Sequence, residues 1–245
     1  MRVLIVGAHQ DDILGLAGTI LWLKYAGCEV TYVCTTLSQY EYVDEPLDPS
    51  EVATRLEKEM KECCKALGID RYINLGYEDG FYTYSEKTIK EIVELIREIK
   101  PKIVFSRWIH ESHPDHRAVG MVTRRASVLA NYRYYRSGAE FADVAGVEGL
   151  YYWCGGNQPW LPEFKPNIFV GVSKYLKKII ESYLVFKTVK GIKKGLKRSL
   201  VIRLYNGIAS GFRMAEAIVK DTSFSGWMND PLLCLAKSKG IPIKA

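Results

Sequence analysis

Four short apolar runs, alternating with charged stretches of helical period, constrain the fold of this chain more than any other feature of its sequence. Residues 2–8 (RVLIVGA), 29–36 (EVTYVCTT), 71–75 (RYINL) and 102–108 (KIVFSRW) are rich in β-branched and aromatic side chains and are too short for buried helices. Such runs read as strands of a parallel sheet covered on both faces. The intervening segments carry helix signals. Asp11 or Asp12 can cap a helix that runs to Tyr25 and is closed by Gly27. Pro49, with Asp48 or Ser50 as cap, opens a second helix to Leu67 before Gly68. In 85–100, Ile89, Ile92, Val93, Ile96 and Ile99 recur at helical spacing, and Pro114 with Asp115 suits a further first turn opened by His113. A βαβαβαβ order at about thirty residues per unit predicts an α/β fold. The expected form is a Rossmann-like, mostly parallel sheet with helices on both faces.

Beyond residue 131 the alternation loosens. Strand-like runs follow at 149–153 and 167–172, and helices are expected from Ser173 and again over 199–219. This reads as a C-terminal α+β extension (131–245) packed on the core (1–130) within a single domain, 1–245. No internal repeat and no low-complexity segment interrupts it.

No stretch approaches the eighteen or so uninterrupted apolar residues of a membrane span, and Met1-Arg2 leads straight into the first strand. No integral membrane segment is expected, and the expected location is cytoplasmic. The six cysteines show no C-x-x-C pair, so they read as small buried residues rather than thiolate metal ligands or disulfides. The net charge of +6 is concentrated in Lys174, Lys177, Lys178, Lys187, Lys190, Lys193, Lys194, Lys197 and Arg198. Such a run can meet phosphate or an anionic membrane face, but a solvated helix face is the commoner case. No nucleic-acid partner is expected; self-association into a homo-oligomer is compatible with the composition.

All four histidines fall just after two of the apolar runs. His9 lies in Gly7-Ala8-His9-Gln10-Asp11-Asp12, and the others are spaced by threes in His110-Glu111-Ser112-His113-Pro114-Asp115-His116, with Asp79 as a further nearby carboxylate. A parallel sheet gathers such strand ends at one edge, where open α/β sheets bind ligands. A catalytic zinc takes three His or Asp/Glu ligands and leaves a fourth position for water. His9, Asp12 and His116 supply that set. Asp11, adjacent to a ligand, is placed to accept a proton from the water, and His113, steadied by Asp115, to donate one. The rival reading makes Asp11 and Asp12 helix caps and His113 a polar loop residue. A nucleotide-binding turn at Gly7, Gly15 and Gly18 is a weaker rival, because no G-x-G-x-x-G follows the first strand.

The segment VGAHQDDILGLAGT resembles the A-H-P-D-D-E-x-x-x-G-G-T signature of the LmbE-like (PIG-L) N-acetylglucosaminyl deacetylases, and HPDH at 113–116 matches their second motif. Weaker echoes include Ala66-Leu67-Gly68, Gly80, Pro101 and GFRMAEA at 211–217. The resemblance implies zinc on His9, Asp12 and His116, Asp11 as general base, and His113 as acid or oxyanion stabiliser. Gln10, Ile13 and Ala17 replace the family's proline, glutamate and glycine. The implied function is zinc-dependent removal of an N-acetyl group from a small amino-sugar conjugate. The alternative is a catalytically impaired metal- or sugar-nucleotide-binding module, with the Ile13 change as the lesion. A nicotinamide or methyl-donor enzyme is disfavoured by the missing glycine fingerprint.

Other residues carry weaker expectations. His110 reads as an exposed loop residue. Tyr40, Tyr42, Tyr82, Tyr84, Trp108, Trp153 and Trp160 could stack on sugar rings, although most are expected in the core or at its rim. Arg55 and Arg107 could hold an anionic substituent.

Overall fold

A computed structural model of the chain describes residues 1–137, 144–155, 161, 163–224 and 230–245. Strands β1 (Arg2–Gly7), β2 (Glu29–Thr36), β3 (Arg71–Tyr77), β4 (Ile103–Arg107) and β5 (Gly149–Trp153) pair in parallel, in the order β3-β2-β1-β4-β5. Alternation along β1 sends Val3 and Ile5 to one apolar layer and Leu4 and Val6 to the other. The first layer is filled from α1 (Ala17–Tyr25) and α2 (Pro49–Leu67), the second from α3 (Glu86–Ile99) and α4 (Pro114–Ala130). The sheet is therefore covered on both faces, as the apolar runs required.

Local signals set the ends of these helices. Pro49 occupies the first turn of α2, Asp48 accepts the Ser50 amide at 2.8 Å, and Gly68 closes the helix at φ 74°. Such a cap contributes about 1 kcal/mol. Ser85 and Thr88 form a capping box at α3, and Pro114 follows a His113 cap at α4.

The C-terminal half continues the same sheet. Its elements are β6 (Ile168–Gly171), α5 (Leu176–Val185), α6 (Ile192–Ser210), β7 (Ala215–Lys220), α7 (Pro231–Lys239) and β8 (Ile243–Lys244). Strand β7 inserts antiparallel between β5 and β6, and β8 closes the edge.

Three expectations need correction. The helix expected over 199–219 is two elements, because Gly211 adopts φ 74° and ends α6, and the Ala/Glu-rich segment after it is drawn into the sheet by strands on both sides. Here tertiary pairing overrides helical propensity. The first helix begins as a 3₁₀ turn, Gln10–Leu16, with His9 rather than Asp11 or Asp12 at its cap position. Five cysteines are buried, but Cys234 is exposed. Among the described residues, no helix is long and apolar enough to cross a membrane.

Candidate active site

The parallel order reverses direction between β1 and β4, which extend to opposite sides of the sheet through β2 and β5. Crevices at such switch points, beyond the carboxyl ends of the strands, are where open α/β sheets bind ligands. His9 follows β1 by two residues, and the loop after β4 carries Glu111, His113 and, on the first turn of α4, His116. These residues line one cleft of ≈ 770 Å³ together with Asp11, Asp12, Asp79 and Arg107.

The backbone at His9 is fixed from behind. Tyr32 on β2 donates its hydroxyl to the His9 carbonyl at 2.6 Å, an approach that Gly7 permits because a Cβ there would collide with the Tyr32 ring and hydroxyl. Asp12 folds back over the turn, its Oδ2 accepting the Ala8 and His9 amides at 2.8 and 3.0 Å. Its Oδ1 is left facing His116 Nε2 at 3.1 Å. That same Nε2 lies 3.0 Å from His9 Nδ1.

The outer nitrogen of each ring meets a carboxylate. His9 Nε2 is 3.0 Å from Asp79 Oδ1 and 3.4 Å from Asp115 Oδ2, while His116 Nδ1 is 2.6 Å from Glu111 Oε2. Arg107 Nη2 also lies 2.8 Å from His116 Nδ1, but only Glu111 can accept, so the ring proton belongs on Nδ1 facing Glu111. The inner nitrogens, His9 Nδ1 and His116 Nε2, then face each other, and His116 Nε2 also faces the Asp12 oxygen. His116 Nε2, 3.0 Å from a second imidazole nitrogen and 3.1 Å from a carboxylate oxygen, is a donor arrangement that suits a cation. A tetrahedral zinc with bonds of ~2.0–2.1 Å separates its ligand atoms by roughly 3.4 Å. Histidine ligands held by outer carboxylates are the usual companion of such sites. Among the described residues, two groups bring one ligand atom from each member within 4.8 Å of one another, His9/His113/His116 and His9/Asp79/His113/Asp115; Asp12 belongs to neither and approaches through His116.

The electrostatics follow from this packing. Burial opposes charge on His9, yet Asp115 and Asp79 outweigh it and raise its pKa well above the ordinary imidazole value. Burial and Arg107 oppose charge on His116, but Asp12 and Glu111 leave its pKa raised. Asp12 is held well below the usual carboxylate range because Arg107 and His116 overcome its burial. Its neighbour Asp11 moves the other way: burial, and then the Asp12 charge, push it up. His113 is lowered by burial and by its two neighbouring imidazoles. Two adjacent aspartates with pKa values driven apart can serve as ligand and as proton acceptor.

The structure brings together His9, Asp11, Asp12, His113 and His116. Asp115 is there too, close to His113, but its carboxylate makes its hydrogen bonds elsewhere. The Asp115 carboxylate accepts the Gly80 and Tyr82 amides at 2.7 and 3.1 Å, and only its backbone N–H reaches His113 Nδ1, at 3.3 Å. Its carboxylate therefore holds the Asp79 loop against His9. Asp79 and Glu111 carry more of the architecture than the sequence reading gave them, since each sits behind one ring. Glu41, on the loop after β2, was not singled out at all; it lines the cleft, and burial with the nearby Asp11 pushes it up to about 7.

Arg107 lies in the site but is engaged, donating to Glu111 at 2.7 Å and facing Asp12 at 3.4 Å, so its expected role with an anionic substituent is replaced by charge balance. Arg55 pairs with Glu45 and Glu51 away from the cleft. Tyr40 and Tyr42 line the cleft and are exposed, whereas Tyr82, Trp108 and Trp153 are buried and Tyr84 lies in a separate groove. Trp160 lies outside the described residues. His110 is exposed and faces Glu163. Of the lysine-rich run, Lys190 and Arg198 reach the cleft wall. Gly15 and Gly18 are packing glycines: a Cβ on Gly18 would collide with Val172. Ile13 is fully buried in the apolar layer.

The PIG-L family profile, described as GlcNAc-PI de-N-acetylase, matches residues 4–127, half of the chain, a span that includes His9, Asp11, Asp12, His113, Asp115 and His116. The chain belongs to the PIG-L family. Along 231 residues it is 29% identical to diacetylchitobiose deacetylase of Thermococcus kodakarensis, covering 89% of this chain and 82% of that protein. A probable N-acetyl-alpha-D-glucosaminyl L-malate deacetylase 2 of Bacillus cereus is 32% identical over 135 residues, 51% of this chain and 60% of its own length. Among solved structures, N,N'-diacetylchitobiose deacetylase from Pyrococcus horikoshii superposes with a TM-score of 0.79 at 24% identity, covering 93% of this chain and 88% of that one. That likeness establishes the LmbE-like fold. The PIG-L relatives matched along the sequence are named as deacetylases, and the impaired-module reading is not favoured.

Proposed function

We propose that this protein is a metal-dependent N-deacetylase acting on an N-acetylglucosamine-type amino sugar, with zinc held by His9, Asp12 and His116. The observation that carries the reading is His116 Nε2 facing both His9 Nδ1 and Asp12 Oδ1 at 3.0 and 3.1 Å, with a carboxylate behind each ring. Bound there, zinc would polarise the acyl carbonyl and make its water more acidic.

The chain's own residues supply the proton handling. Asp11 lines the cleft next to Asp12, its carboxyl accepts no hydrogen bond among the described residues, and its raised pKa makes it a better proton acceptor than an ordinary carboxylate. His113 stands edge-on to His9 at 4.7 Å, on the cleft wall; from there its imidazole would hydrogen-bond the developing oxyanion and pass a proton to the departing amine. Tyr40 and Tyr42 offer exposed aromatic faces at the cleft margin for sugar rings. The products are acetate and the free amine.

The test is acetate release from a panel containing N-acetylglucosamine, N,N'-diacetylchitobiose and anionic N-acetylglucosamine conjugates, with protein treated by chelator and then resupplied with zinc. Release that disappears on chelation and returns with zinc supports the proposal. No release from any member of the panel would overturn it.

A further inference from the structure

The turn that carries Asp11 and Asp12 poses a problem of helix termination. It passes at Leu16 into α1, whose first amides need acceptors, yet α1 has no capping side chain of its own. The carboxylates nearest in sequence are committed elsewhere: Asp12 closes over Ala8 and His9 and faces His116, and Asp11 lines the cleft.

The missing acceptor arrives from the far end of the chain. Glu216 on β7, nearly two hundred residues away, receives the Gly18 amide at 2.9 Å and the Thr19 amide and hydroxyl at 2.7 Å each. Arg203 on α6 neutralises it, donating Nε and Nη2 to Glu216 Oε1 at 3.0 and 2.6 Å. The same Arg203 Nη2 donates to the Leu14 carbonyl at 2.8 Å. Leu14 lies before the junction of turn and helix, and Gly18 and Thr19 lie after it. Both partners are buried, at 3% and 4% exposure, so neither end of the clamp competes with water.

We propose that Glu216 and Arg203 are positioning residues for the metal site: by clamping both sides of the Leu16–Ala17 junction they hold the 3₁₀ turn so that Asp12 faces His116 and Asp11 faces the cleft. The external cap leaves Asp11 and Oδ1 of Asp12 free of the α1 amides, while Asp12 Oδ2 still accepts the His9 amide at the start of the turn. Neither Glu216 nor Arg203 touches substrate or metal. The proposal rests on the ligand assignment above.

Loss of a group that hydrogen-bonds a metal ligand costs roughly 10–100-fold in metal affinity, and Glu216 and Arg203 act one step further out, on the backbone that carries Asp12, so the lower end of that range applies. Glu216→Gln and Arg203→Lys are therefore expected to weaken zinc binding about tenfold in competition with a chromophoric chelator, and to lower kcat more than they raise KM. The control is Asp230→Asn, which breaks a second buried ion pair, from Lys220 at the end of β7 to Asp230 at the start of α7, at 2.8 Å. It should lower Tm with zinc affinity unchanged. His116→Ala separates the two hypotheses. If it retains zinc, the ligand assignment has failed; if it loses zinc while Glu216→Gln and Arg203→Lys bind zinc as wild type does, the positioning role is overturned. Equal loss of affinity in Asp230→Asn would also overturn it, because general destabilisation would then explain the effect. If Glu216→Gln does not fold, Thr19→Val removes one hydroxyl of the clamp and should give a smaller loss in the same direction.

Discussion

His9 and His116, 107 residues apart in sequence, face each other with Nδ1 and Nε2 separated by 3.0 Å. The pairing of β1 with β4 sets their strands side by side, and outer carboxylates set the rings. In the metal-free protein nearby carboxylates, Asp115 and Asp79 at His9 and Asp12 and Glu111 at His116, raise both imidazole pKa values against burial. Zinc must displace the protons that these rings bind. Its apparent affinity should therefore fall as pH drops through the raised pKa values, starting higher than an ordinary imidazole pair would require. At pH 7, calorimetric titration in buffers of different ionisation enthalpy should show more proton release per zinc than an unperturbed pair of imidazoles gives. Two unperturbed imidazoles would release roughly half a proton in total. That figure would contradict the raised values.

Replacing Asp11 by Asn should leave zinc bound and lower turnover by roughly a hundredfold or more, because Asp11 is assigned to the proton and not to the metal. His113→Ala should behave similarly. Zinc content and acetate release measured side by side decide both cases. Wild-type turnover in Asp11→Asn would remove it as the base.

Glu41 gives a stability signature. Its folded pKa of about 7 lies above the ordinary glutamate value of 4.5. Between those values the folded state binds more protons than the unfolded one, so its contribution to stability declines as pH rises from about 4.5 to 7. Metal-free Glu41→Gln should melt like wild type near pH 4 and gain about 1 kcal/mol over it above pH 7, allowing for the partial exposure of Glu41. Thermal melts at both pH values check this. A variant no more stable than wild type above pH 7 would show that Glu41 is not held protonated by the cleft.

The first 130 residues were legible because each element there announces itself locally. Strands such as 2–8 are apolar runs, and Pro49, Gly68, Ser85 and Pro114 mark helix ends where the structure has them. The site was legible for the same reason, since β1 and β4 are parallel neighbours and both motifs follow strand ends. What stayed hidden depends on distant contacts. Residues 215–220 look helical until β5 and β6 bracket them, and α7 and β8 carry signals too short to read alone. The Asp115 carboxylate could not be assigned to the Gly80 and Tyr82 amides without knowing that the loop after β3 crosses the site. Glu216 as the cap of α1 was invisible for the same physical reason.

The central claim, a metal held by His9, Asp12 and His116, is tested most directly by elemental analysis of purified wild-type protein and His116→Ala after equilibration with zinc and removal of the free ion. The account predicts about one zinc per chain in wild type and almost none in the variant, because two remaining ligands rarely retain a catalytic ion. Equal zinc in the two proteins would contradict it.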